Sequence, residues 1–205
     1  MTELLLGATL PQFTGDPDPF VEGARRAEEA GLDSIWVFDH IWPLTGGRRR
    51  SILEAWTALA YVAAETKRIR IGTLVTRSSL RHPAVLAKMV ATVAEIAPGR
   101  LTVAIGSGDE ANRGENESYG IPYFSGDGRV PQLRSAVEVV KRYLTESSVE
   151  VRDRFVQVDG LPPSPRPSAR PMVWVGGRGD DVLEVAAEHA DGWNGWGGTP
   201  QRFRQ

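Results

Sequence analysis

Short apolar runs alternate along the chain with longer amphipathic ones, and each class has its own period. Leu4 to Leu10 is a first apolar run, broken at Pro11. Asp16-Pro17-Asp18-Pro19 then supplies helix-start chemistry, with carboxylates near the N-terminus and a proline tolerated in the first turn. Phe20, Val21, Ala24, Ala27 and Ala30 recur at helical spacing, and Gly31 is a natural stop. Ser34-Ile35-Trp36-Val37-Phe38 is apolar almost throughout, as a buried parallel strand is, and ends at Asp39-His40. The same reading predicts a helix from Leu53 to Thr66, a strand from Ile69 to Val75, and a helix from Pro83 to Ala97 closed by Pro98-Gly99. A strand from Leu101 to Ile105 follows, running into Gly106-Ser107-Gly108-Asp109.

After a long polar stretch comes a helix from about Val130 to Leu144. Val149 to Val151 and Phe155 to Val158 flank the polar Arg152 to Arg154 and read as a small hairpin inserted outside the repeat. Five prolines between Leu161 and Pro171 make that segment an extended connector. Met172 to Val175 is a further strand, Asp181 to His189 a helix and Gly192 to Trp196 a short strand. Thr199-Pro200-Gln201 reads as the opening of another helix. Repeated βα units imply an α/β fold with a parallel sheet covered by helices. A doubly wound open sheet and a TIM (β/α)8-type barrel both fit. Polar or glycine-rich chemistry after almost every strand favours the barrel, whose working face collects the strand ends. Eight units are needed and about six are visible, so the expectation is an incomplete barrel.

Composition changes this picture little. At 205 residues, with 41% hydrophobic and 24% charged residues, the chain has the make-up of a single globular domain rather than a disordered one. A formal net charge of −2 gives no reason to bind nucleic acid or an anionic membrane. The absence of cysteine excludes disulfides, thiolate catalysis, Cys-based zinc sites and iron–sulfur clusters, and no other metal site is expected. The N-terminus lacks a basic region, and its apolar run is too short for a signal peptide or a membrane span. A cytoplasmic location is the expectation.

The candidate chemistry sits at the strand ends. Asp39-His40 follows the second strand, where a barrel faces its active-site mouth and where a histidine can act as acid or base near neutral pH. The alternative is a loop histidine bonded to its own backbone or to Asp39. Gly106-Ser107-Gly108 and Gly176-Gly177-Arg178-Gly179 are either phosphate cradles or tight turns. The first lacks the final glycine of the dinucleotide fingerprint, having Ala111 there. Trp42 stands in a loop where it can meet a planar ring, whereas Trp36, Trp174, Trp193 and Trp196 read as core. Asp109, Glu110, Glu115 and Glu117 form an acidic cluster that is either catalytic or solvated. His82 reads as a helix cap, His189 as a residue without a partner, and Arg48-Arg49-Arg50 as a solvated loop able to steer an anion.

Taken in order, several of these stretches resemble the luciferase-like monooxygenase superfamily, and within it the oxidoreductases that use the deazaflavin coenzyme F420. The matching pieces are Ala30-Gly31-Leu32-Asp33-Ser34-Ile35-Trp36-Val37-Phe38-Asp39-His40, Ile69-Arg70-Ile71-Gly72-Thr73, and Arg81-His82-Pro83-Ala84-Val85-Leu86-Ala87. Gly99-Arg100-Leu101 through Gly106-Ser107-Gly108 follows, then Glu115-Asn116 and Tyr119-Gly120-Ile121-Pro122. Val173-Trp174-Val175-Gly176-Gly177 and Ala190-Asp191-Gly192-Trp193-Asn194 complete the set. The resemblance implies a cofactor ring at the C-terminal mouth of a barrel, beside Asp39 and His40, with His40 as proton donor or acceptor and Trp42 near the substrate. It implies a non-prolyl cis peptide at Leu74-Val75 supporting the ring, and Ser107, Gly108, Gly176 and Gly177 at the cofactor phosphate. Some deazaflavin relatives carry a glutamate proton donor directly after the Gly-x-Gly; here Asp109 occupies that place and Glu110 follows.

The implied reaction is hydride transfer between coenzyme F420 and a small organic substrate, the protein supplying orientation and electrostatics. An FMN-dependent monooxygenase is the alternative, because the scaffold accepts either ring. Members of the family are usually dimers and continue past Asp191-Gly192-Trp193-Asn194 for one or two further βα units. Residues 1–205 therefore read as one luciferase-like barrel domain lacking those units: a truncated product, a fragment, or a subunit completed by a partner or by swapping. An inactive barrel remnant or an interaction module is the non-enzyme alternative.

Overall fold

The computed structural model describes residues 4–45, 47–197, 199 and 201. Six parallel strands form one curled sheet: β1 (Gly7–Thr9), β2 (Ser34–Val37), β3 (Arg70–Arg77), β4 (Leu101–Gly106), β7 (Met172–Gly176) and β8 (Gly192–Asn194). Between β4 and β7 the chain makes an antiparallel hairpin of β5 (Val149–Arg152) and β6 (Gln157–Leu161). The helices are α1 (Pro17–Glu29), α2 (Ala55–Glu65), α3 (Pro83–Ile96), α4 (Arg113–Ser118), α5 (Arg129–Thr145) and α6 (Asp180–His189). Among the described residues, no helix is long and apolar enough to cross a membrane.

Strand order settles the choice the sequence left open. The order β1-β2-β3-β4-β7-β8 follows the chain without a reversal. A doubly wound sheet reverses direction at its switch point, whereas a barrel is wound one way only. The fold is an incomplete TIM barrel.

Each strand divides its side chains between two faces. Ile35, Val37, Ile71, Val103, Ile105, Val173 and Val175 are buried in one cluster with Phe20, Val21, Leu59, Val62, Val90 and Val137 from the helices. Two indoles occupy the other face, Trp36 on β2 and Trp174 on β7, with ring centroids 5.5 Å apart. Glycines make room for them. A Cβ on Gly72 would lie 2.6 Å from the Trp36 ring, and one on Gly192 would lie 2.7 Å from the Trp174 indole nitrogen. Neither position tolerates a side chain without a shift.

Several expectations are corrected here. The first strand is confined to Gly7–Thr9, and Leu4, Leu5 and Leu6 are exposed, because β1 lies at the edge of the sheet. Trp193 and Trp196 are not core: they are 41% and 80% exposed, the first on edge strand β8 and the second beyond its end. His189 has partners, with Arg134 Nη1 3.0 Å from its Nε2 and Glu188 3.5 Å away. The polar stretch after β4 contains α4, too short to show a helical period. His82 caps α3 as expected, accepting from the Ala84 N–H. The helix opening expected at residues 199–201 lies partly outside the described residues.

Asp191, between α6 and β8, ties four parts of the fold together. Its carboxylate accepts from Lys141 on α5 at 2.6 Å, from Arg170 in the proline-rich connector at 2.8 Å, and from the Val173 N–H on β7 at 2.8 Å. Burial pushes its pKa up, but these donors outweigh burial and bring it down to about 2. An unfolded aspartate titrates near 3.8, so the folded state is favoured wherever the group is ionised, above about pH 4. That contribution is lost as the pH falls from about 4 to about 2, and amounts to about 2 kcal/mol. Asp191→Asn should flatten the acid limb of a stability-versus-pH curve over that window; an unchanged limb would show that the cluster contributes nothing.

Candidate functional site

The C-terminal ends of the strands converge on one group of polar side chains. Strand β2 delivers Asp39 and His40, and its exit is fixed by Gln12, which is fully buried. The Gln12 side-chain Oε1 accepts the Phe38 N–H at 2.8 Å, and its Nε2 donates to the Leu53 carbonyl at 3.0 Å. Strand β3 shifts register between Thr73 and Thr76, and the Leu74–Val75 peptide within the shift is cis, as the resemblance implied. Beyond the shift, Thr76 and Arg77 are both buried.

Asp39 is an anchor with 1% exposure. Arg81 reaches it with both terminal nitrogens, at 2.5 Å and 3.0 Å. The Thr76 hydroxyl donates to it as well, and itself accepts from the Trp56 indole at 3.1 Å. Arg81 also pairs with Glu54, the cap of α2. Burial lowers the Arg81 pKa, but Asp39 and Glu54 outweigh that and hold the guanidinium above its usual value. Both Asp39 oxygens are occupied from within the chain. The Asp39 carboxylate is thus held by Arg81 and Thr76 at the strand end next to His40.

His40 is bonded neither to Asp39 nor to its own backbone. Its Nδ1 lies 3.0 Å from Oε2 of Glu115, contributed by α4. Glu115 is 3% exposed, which corrects the solvated reading of this acid. Its Oε1 accepts the N–H groups of Ile41 and Trp42, the latter at 3.0 Å, and Arg77 Nη2 lies 3.0 Å from Oε2. Arg77 also donates to the Asp39 carbonyl at 3.3 Å and to Asn116 Oδ1 at 3.1 Å. Burial pushes the Glu115 pKa up, but the bonds from His40 and Trp42 and the charge of Arg77 outweigh it and hold the carboxyl below its usual value. Gln12, Arg77, Arg81 and Glu115 as a buried partner were not assigned from sequence. Only the Glu115-Asn116 and Arg81-His82-Pro83 motifs hinted at two of them.

Asp109 and Glu110 stand apart from this group. Both are exposed, and neither hydrogen-bonds to His40. Glu110 pairs with Arg113 at 2.5 Å, which together with Tyr123 holds its pKa down. The Tyr123 hydroxyl donates to the Asp109 carbonyl at 2.7 Å, bracing the turn. Trp42 is half-buried, and the Arg48 guanidinium lies 3.9 Å over its ring, so one ring face is already covered.

The two glycine stretches differ. Gly108 has φ +68°, its carbonyl accepts from Arg129 at 2.9 Å, and the neighbouring Ser107 hydroxyl is half-buried. Arg129 Nε is buried without a hydrogen-bond partner beside this turn. A cationic side chain and an available donor at a glycine turn fit an anionic group. At Gly176 a Cβ would lie 2.4 Å from Val75, and at Gly177 2.7 Å from Val182. The Gly177 N–H is already given to the Asn194 carbonyl at 3.1 Å, and Asp180 and Asp181 occupy the first turn of α6. These two glycines make room for the chain's own side chains, and Asp180 and Asp181 set negative charge beside the second of them.

The luciferase-like monooxygenase profile matches residues 5–205. The chain is 33% identical over 189 residues to an F420-dependent glucose-6-phosphate dehydrogenase of Kineococcus radiotolerans, covering 91% of this chain and 54% of that protein. It is 28% identical over 190 residues to an F420-dependent hydroxymycolic acid dehydrogenase of Mycobacterium tuberculosis, covering 92% and 51%. Among solved structures, an F420-dependent secondary alcohol dehydrogenase in complex with an F420-acetone adduct superposes with a TM-score of 0.84 at 26% identity, covering 95% and 58%. The chain spans about half the length of the curated relatives it matches.

Proposed function

We infer the function of this chain from the family to which it belongs, the luciferase-like monooxygenases, and propose that it is a deazaflavin-dependent oxidoreductase. The reaction is hydride transfer between coenzyme F420 and a small organic substrate. The observation that carries this reading is His40, set at the end of β2 by a buried carboxylate and half-open to the strand-end face. Similarity to relatives named as F420-dependent supports the choice of cofactor.

The cofactor supplies the hydride chemistry; the chain's residues bind, orient and handle the proton. Ser107 and Gly108, with Arg129 against them, form the turn that holds the anionic tail. Leu74 and Val75, at the register shift of β3, form the wall behind the ring, and Gly106 and Gly176 give Val75 the space it needs there. Trp42 lines the substrate side through the edge that Arg48 leaves open. His40 gives or takes the proton that accompanies the hydride, and Asp39 fixes its backbone. Asp109 and Glu110, on the exposed turn after β4, stand next to the tail-binding residues and shape entry to the site.

Titration of the purified chain with coenzyme F420 and, separately, with FMN tests the reading. Micromolar binding of the deazaflavin, followed by its fluorescence, is the expected result. Binding of FMN alone would move the chain to the flavin-dependent branch, and binding of neither would overturn the proposal.

A further inference from the structure

Building on that reading, we propose that Glu115 is a positioning residue which holds His40 as its Nδ1–H tautomer and so leaves Nε2 as the atom that exchanges the proton. Three hydrogen-bond donors and one guanidinium charge converge on this one carboxylate. Oε1 takes the N–H groups of Ile41 and Trp42, and Oε2 takes His40 Nδ1 and faces Arg77 Nη2. A carboxylate so surrounded is ionised, and an ionised carboxylate only accepts hydrogen bonds. The proton between Nδ1 and Oε2 therefore belongs to the imidazole. With Nδ1 committed, the second nitrogen carries the lone pair of the neutral ring. Nε2 makes no hydrogen bond among the described residues, and the side chain is 18% exposed.

The other charges around His40 are already matched. Arg77, from β3, faces Glu115; Asp39, the neighbour of His40, faces Arg81; and on the outer side of α4, Glu117 faces Arg113. Glu115 is thus the carboxylate directly presented to the ring. By gripping the two successive amides on either side of Ile41 as well, it fixes the backbone after His40 and the site of the ring proton together. When a hydride leaves the substrate for the cofactor, the accompanying proton goes to Nε2. The resulting imidazolium is then stabilised by the same carboxylate; the reverse transfer returns the proton from Nε2.

The substitution Glu115→Gln separates positioning from bulk. Its amide oxygen can keep the Ile41 and Trp42 bonds, while its NH2 group replaces Oε2 and donates to Nδ1. The ring must then move its proton to Nε2. Nitrogen-15 NMR of the full chain, labelled at histidine and assigned by the loss of one signal set in His40→Ala, reads this directly. The wild-type ring, once neutral, should show protonated Nδ1 and bare Nε2; Glu115→Gln should show the reverse. A wild-type ring protonated at Nε2, or a Gln variant with the wild-type tautomer, would overturn the assignment. If the variant does not fold, the wild-type spectrum decides alone. With deazaflavin bound, the variant should lose on the order of 10²-fold in kcat with little change in cofactor Kd. The expected tautomers in a chain that binds no cofactor would uphold Glu115 as the positioning group while overturning the function proposed above.

Discussion

Replacing His40 with alanine should slow turnover of bound coenzyme F420 by about 10²- to 10⁴-fold, the usual contribution of a positioned general acid or base. Cofactor affinity should change little. The turn proposed to hold the anionic tail, at Ser107 and Gly108, is braced by Arg129 and by the Ser107 hydroxyl rather than by the His40 ring, and β3 is held by its own strand pairs. The fold should also survive. Glu115 keeps Arg77 and the Ile41 and Trp42 amides after the ring is removed, so no buried charge is left alone. Stopped-flow reduction of the cofactor, paired with a binding titration, gives both numbers. Unchanged turnover with intact binding would remove His40 from the chemistry. A parallel collapse of binding would show that the ring holds the cofactor rather than the proton.

Asp39→Ala should produce the largest loss of stability, about 3 to 5 kcal/mol, because it breaks a buried ion pair from one side. Arg81, with 14% side-chain exposure, would lose two bonds to a carboxylate that is itself buried, and the Thr76 hydroxyl would lose its acceptor. Glu54 would still face Arg81, which places the effect toward the lower end of that range. Urea unfolding reads the change from the midpoint at constant slope. A loss below about 1 kcal/mol would mean that Asp39 is not the anchor its bonding describes. The comparison with His40→Ala is informative, since the neighbouring positions separate by role: one substitution costs stability and the other costs turnover.

Much of the barrel was legible because its signals are local. The apolar run of Ser34 to Val37, the all-buried strand Leu101 to Gly106, and the periodic helix from Arg129 carry their burial pattern within a few residues. The position of His40 at a strand end, the capping role of His82 and the inserted hairpin follow from the same local chemistry. The two exposed tryptophans were misread because an indole in an apolar run looks the same whether its strand is central or at the edge. Glu115 was one acid among four in a polar stretch. Nothing within ten residues of it shows that it is buried, since its partner His40 is 75 positions away.

The histidine at the mouth of an incomplete barrel thus has two origins. The βα rhythm and the place of His40 and of the glycine turns at strand ends are local properties of the chain, because periodicity and turn chemistry act between near neighbours. The one-way strand order, the enclosure of Asp39 by Arg81 and Thr76, and the pairing of His40 with Glu115 arise from long-range packing. Those depend on which distant segments share the same space. A carboxylate's role turns on whether water or a buried donor faces it, and that is fixed when the strands come together.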